Sequence, residues 1–198
     1  VSLSFHLDDL HLTATGQPVI GPSFVQVSRY QRSRGCIQRF GCLAIENGML
    51  TIGSDIHSLA AGTMGTYDHT IGHQRGIQAW NWLAMVGVAT NQRTGETTRI
   101  GLQVAKDKEE ARPRVVSQKY TVWINGRLLK FPTAEFQYSS NENTRKTSGW
   151  RIHSSERSND WLDLSFEPDF HRREKKYLWL IKADFNQYYG RLSGQLCL

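Results

Sequence analysis

Hydrophobic and polar residues alternate with a period of two along nearly the whole chain, beginning with Ser2-Leu3-Ser4-Phe5-His6-Leu7. Successive side chains of a strand point to opposite faces, so this period predicts strands with one buried face. The same pattern puts Leu162, Leu164 and Phe166 together on a strand from Trp161 to Phe166. It aligns Tyr177, Trp179, Ile181, Ala183 and Phe185 on a strand from Tyr177 to Phe185, and Leu192, Gly194, Leu196 and Leu198 on a closing strand. Two Asn-Gly dipeptides punctuate the pattern. Asn47-Gly48 separates Phe40–Ile45 from Met49–Ile52, and Asn125-Gly126 separates Lys119–Ile124 from Arg127–Phe131. Asn and Gly both tolerate positive φ, which a type I′ turn demands, so each dipeptide predicts a tight hairpin. The result is roughly a dozen strands at the spacing of a sandwich or barrel.

Helix has little support. Lys106 to Arg112 has helix-favouring composition, but Pro113 stops it, and it reads as a charged loop. Ser139 to Gly149 is polar and turn-rich, hence a second exposed loop. No repeat or linker divides the chain. The expected architecture is one all-β unit over residues 1–198, an antiparallel barrel or sandwich.

Composition agrees with a packed domain. With 39% hydrophobic residues, 17 Gly and 5 Pro in 198 residues, disorder and collagen-like repeats are excluded. No apolar run reaches the roughly 18 residues of a membrane helix, so no transmembrane segment is expected. Three cysteines (Cys36, Cys42 and Cys197), without a CxxC pair, argue against a disulfide framework and point to a reducing compartment, the cytoplasm. The chain begins Val1-Ser2 without an initiator Met and ends at Leu198 in a predicted strand, so both ends read as cut from a longer protein.

The net charge of +6 raises nucleic acid as a partner. Residues 1–99 hold 7 Lys/Arg against 6 Asp/Glu, and residues 100–198 hold 17 against 12. The basic runs, Arg29 to Arg39 and His171 to Lys176, are short, and no zinc-finger, helix-turn-helix or RNA-recognition pattern accompanies them. Charge at solvated strand edges explains them. Nucleic acid stays only as the weaker alternative.

Candidate chemistry gathers between Gly62 and Gly76. The segment holds four glycines and places Tyr67, Asp68, His69, His73 and Arg75 within nine positions. It then enters the strand Trp80-Asn81-Trp82, whose two indoles share a face. That face could line an apolar cavity or pack in a core. A His exchanges protons near neutral pH, and a carboxylate can orient it. Neighbours on a strand diverge, so Asp68 and His69 pair only where the backbone turns; otherwise Asp68 caps a turn and His69 is structural. His69 and His73 stand four apart, but Thr70-Ile71-Gly72 between them is not helix-like, even with His57 as a third ligand. No metal and no cofactor are expected. G-x-S-x-G and P-loop motifs are absent.

The pattern Tyr67-Asp68-His69-Thr70-x-Gly72, Arg75, Trp80-Asn81-Trp82 and Gly87 resembles an uncharacterised bacterial family, a domain of unknown function. Ile100-Gly101-Leu102, Trp123-Ile124-Asn125-Gly126, Leu162 to Pro168 and Leu180 to Gly194 resemble its later motifs in order. The resemblance extends to hydroxyneurosporene synthase and AttH-like proteins of the calycin-related, lipocalin-like group. It implies a lipocalin-like fold, often two-lobed, in a longer chain. It also implies a hydrophobic small-molecule ligand and cofactor-independent hydratase, isomerase or cyclase chemistry, with Asp68 and His69 as the catalytic pair. Tyr67, Arg75, Trp80 and Trp82 would bind the ligand. Ile71 departs from the Trp of the hydratase and AttH branches. In the enzymatic reading, an aspartic acid in apolar surroundings keeps a proton that it can deliver, while an aromatic face steadies cationic charge. In the alternative, the same cavity holds a lipid or terpenoid without turnover.

Overall fold

Among the described residues the alternating pattern forms fourteen strands, every pairing antiparallel, and no helix. The computed structural model describes all residues except 1, 8, 19–20, 31–33, 73–78, 109–118, 132, 139–148, 155–158 and 179–180. Two compact units result, Val1–Lys130 and Phe131–Leu198. No helix of the described residues is long and apolar enough to cross a membrane.

The first unit is organised on β4 (Arg34–Ile52), preceded by β1 (Ser2–Leu7), β2 (Leu10–Pro18) and β3 (Phe24–Tyr30). The first half of β4 pairs with β3 and with β6 (Met64–Gly72). Its second half pairs with β2 and with β5 (Asp55–Leu59), and β1 extends the sheet beyond β2. A second sheet runs in the order β10 (Arg127–Lys130), β9 (Lys119–Ile124), β8 (Thr97–Asp107), β7 (Trp80–Thr90). Neither sheet closes on itself among the described residues.

The two sheets bury a shared core. Phe40 and Cys42 of β4 meet Trp123 of β9, with Phe24, Met64, Ala84, Val86 and Leu128 packed around them. The Phe40 ring lies 5.4 Å from Trp123 and 6.3 Å, edge-on, from Trp82. Burying a side chain of this size contributes about 1.5–3 kcal/mol. The Trp123 indole N–H donates to the Pro22 carbonyl at 2.8 Å, so its burial orphans no donor. The first unit is therefore a β-sandwich, the second of the two expected architectures.

The two Asn-Gly dipeptides behave differently. Asn125 and Gly126 take φ of 50° and 75°, and Ile124 pairs with Arg127, giving the expected hairpin. Asn47-Gly48 makes no hairpin; β4 runs straight through it, and the turn comes at Gly53, with φ of 58°. The reason is crowding. β2 and β5 flank this point, and a Cβ on Gly48 would lie 3.0 Å from both Ala14 and Leu59 side chains. Gly48 is thus a close-approach glycine beside a bulge at Thr15/Gly16.

The second unit is one sheet in the order β11 (Glu135–Gln137), β12 (Trp150–His153), β13 (Trp161–Leu178), β14 (Ile181–Cys197). Ile152, Leu162 and Leu164 are buried on one face, as the alternation of Trp161 to Phe166 predicts. The expected single strand Tyr177 to Phe185 is instead the end of β13 and the start of β14, paired from Leu178 to Ile181. No Gly, Pro or Asn marks that reversal in the sequence. The expected loops fall largely on 109–118 and 139–148, outside the described residues.

Candidate functional site

The β4–β6 ladder runs from Cys36–Gly72 to Ala44–Met64 without a register shift. Residues directly opposite in such a ladder share a face. Asp68 is opposite Phe40 and so belongs to the inner face, while His69, opposite Arg39, and Tyr67, opposite Gly41, belong to the other. Asp68 and His69 consequently project from opposite sides of β6. The glycines on either side of the pair do not bend the strand between them.

Asp68 is exposed, although it adjoins the fully buried Phe40. Gln38, on the same face, donates from Nε2 to its Oδ2 at 2.6 Å, and Thr70 Oγ1 donates to Oδ1 at 3.4 Å. These contacts fix the carboxyl group at the boundary where the core gives way to solvent. Spare lone pairs remain on both oxygens for an approaching hydroxyl or amine.

Trp80 and Trp82 are on β7, on the face that also carries Ala84 and Val86 of the core. They are nonetheless 41% and 43% exposed. Trp82 meets the core edge-on at Phe40. Asp68, Phe40 and Trp82 therefore form a continuous group on facing sheets, β6 and β7 being neighbours. The indoles make a half-open apolar wall, and Asp68 is the ladder neighbour of the ring that Trp82 touches.

The other ring, Tyr67, covers Gly41 on the opposite face, where a Cβ would collide with it, and its hydroxyl shares a short hydrogen bond with Ser23. This is a structural packing of ring on glycine. His69 is exposed on the same face, near the exposed Ile37 and Ile71 of the next rung. Arg75 and His73 lie outside the described residues. His57 is exposed on β5. No group of three His, Cys, Asp or Glu side chains is gathered as metal ligands among the described residues.

Gln38 and Phe40 escaped the sequence reading, as did Gln103 and Thr121, both buried on the inner face of the second sheet. The signal for Gln103 is its place in Gly101-Leu102-Gln103-Val104-Ala105, a polar residue at an inward position of an otherwise apolar strand. A shallow depression of about 210 Å³, lined by Ser2, Thr13, Ala14, Thr15 and Asn47, shares no residue with this site. None of its lining side chains is titratable.

The family described as a domain of unknown function (DUF2804) matches residues 27–198, and the chain belongs to that family. No curated protein and no solved structure matches it.

Proposed function

We propose that this member of the DUF2804 family binds a flat, hydrophobic small molecule against Trp80 and Trp82, with Asp68 anchoring a polar group of the ligand. The supporting observation is the exposure of two indoles on an inner sandwich face. Such rings cost free energy in water, and a ligand would recover about 25 cal/mol for each Å² of apolar surface covered. Two indoles two residues apart suit an elongated planar molecule more than a compact one. The resemblance to hydroxyneurosporene synthase and AttH-like proteins favours the same class, since better-known members of that group act on polyene-like compounds.

Binding is favoured over an Asp-His acid–base mechanism, because Asp68 and His69 occupy opposite faces of an unbent strand. The test uses the methyl ester of cis-parinaric acid, a conjugated polyene that accepts tryptophan fluorescence by energy transfer. Saturable transfer is expected in the parent protein, weakened at least tenfold in Trp80→Ala/Trp82→Ala. Unsaturable transfer, or affinity unchanged in the double variant, would sink the proposal.

A further inference from the structure

Deeper in the same inner face lie two polar side chains with no partner. Gln103 is completely buried, and neither its Nε2 nor its Oε1 makes a hydrogen bond. Thr121, directly opposite it across the β8–β9 ladder, is 1% exposed, and its Oγ1 is unpaired as well. On the other side Gln103 is opposite Ala84, which packs on the Phe40–Cys42–Trp123 core. The rung Ala84–Gln103–Thr121 therefore faces the space between the sheets.

Leaving a buried polar group unsatisfied costs about 1–3 kcal/mol, whereas a Leu–Val pair of similar shape would cost none of this. Three such atoms on one rung have no partner among the described residues, whereas buried polar groups are as a rule hydrogen-bonded. Trp82 is diagonal to Gln103 in the β7–β8 ladder, a separation of roughly 7–8 Å. The orphaned pair is thus within one side-chain length of the half-open indole wall.

We infer that Gln103 and Thr121 form a head-group site for the carboxylic acid end of the apolar molecule proposed above, an inference that rests on that reading. A primary amide presents an N–H and a C=O side by side. A neutral carboxylic acid presents the complementary C=O and O–H, so the two close a ring of two hydrogen bonds. The Thr121 hydroxyl can donate a further bond to the acid's carbonyl oxygen. The ionised form would be rejected, because a buried charge without a counter-ion costs several kcal/mol. The cation on this rung, Lys130, is exposed and places its ammonium over the Phe24 ring, 5.8 Å from the centroid.

The experiment compares cis-parinaric acid with its methyl ester by tryptophan energy transfer, using the whole chain, Gln103→Leu and Thr121→Val. The parent should prefer the acid by about tenfold, and the preference should fade as rising pH ionises the probe. Gln103→Leu should erase the preference by weakening the acid alone, and Thr121→Val should reduce it. Thermal unfolding should show both variants at least as stable as the parent, since each removes an orphaned group. Equal binding of acid and ester in the parent overturns the head-group site while leaving the binding reading intact. An acid preference that survives Gln103→Leu overturns it too. Binding of neither probe overturns both.

Discussion

Phe40 and Asp68 stand directly opposite each other in the β4–β6 ladder, a fully buried ring beside an exposed carboxylate on one face of the sheet. The core ends between them. Phe40 bridges Trp123 and Trp82, and Asp68 marks the border that the proposed ligand would cross. The two positions should separate stability from binding. Phe40→Ala deletes a buried ring and should cost about 3–5 kcal/mol in urea unfolding. Asp68→Asn should stay within about 0.5 kcal/mol, as exposed substitutions usually do. A Phe40→Ala loss under about 1 kcal/mol would contradict the central place given to this ring.

Much of this arrangement was legible in the residue pattern, and its failures have local causes. Alternation identified the β class because every sheet has an apolar face. Asn125-Gly126 forms its hairpin since nothing competes for those residues, whereas Gly48 is held extended by strands on both sides. The Trp80–Trp82 face was read with core and cavity both open; the indoles are partly exposed, and Trp82 meets Phe40 of the core edge-on. The family resemblance suggested an Asp68–His69 pair, which strand alternation allows only at a turn; the ladder is unbroken there and puts the two on opposite faces. Phe40 could not be joined to Trp82 or Trp123 from the sequence, because those contacts cross between sheets.

Acid should loosen the second unit. Arg151 grips Asp163 through two hydrogen bonds of 2.8 and 2.7 Å, which holds the carboxyl below its usual 3.8. Arg173 does the same to Asp184, at 3.1 and 2.8 Å. A carboxyl lowered in the folded state contributes stability above its unfolded value, and that stability is lost as pH falls through the folded value. Unfolding midpoints should therefore drop from about pH 4 downward. Arg151→Gln and Arg173→Gln should each flatten that drop. The effect should be small and salt-sensitive, because both pairs are solvent-exposed. A slope unchanged in the double variant would assign the acid sensitivity elsewhere.

Thiol reactivity should report the sandwich core. Burial pushes the Cys42 thiol up to about 11, so it carries almost no thiolate at pH 8, while Cys197 is exposed. Iodoacetamide should modify Cys197 in the folded protein and spare Cys42 until denaturant is added. Peptide mapping by mass spectrometry reads both sites in one sample. Equal labelling rates for the two would mean that the Phe40–Cys42–Trp123 core is not closed.

The same cysteine explains a glycine. Gly101 is opposite Trp123 in the β8–β9 ladder, and a Cβ placed on it would collide with Cys42 Sγ from the facing sheet. The next contacts, Trp123 Cε3 at 3.5 Å and Cys42 Cβ at 3.6 Å, are ordinary ones. Gly101→Ala alone should therefore destabilise by about 1–3 kcal/mol through overpacking. Cys42→Ala alone should also cost stability, by opening a small void. Combined, the new methyl occupies the space the sulfur leaves, so the double variant should be more stable than the sum predicts. A coupling of about 1 kcal/mol or more is expected from a double-mutant cycle. Additivity would mean that the two sheets do not meet at this pair.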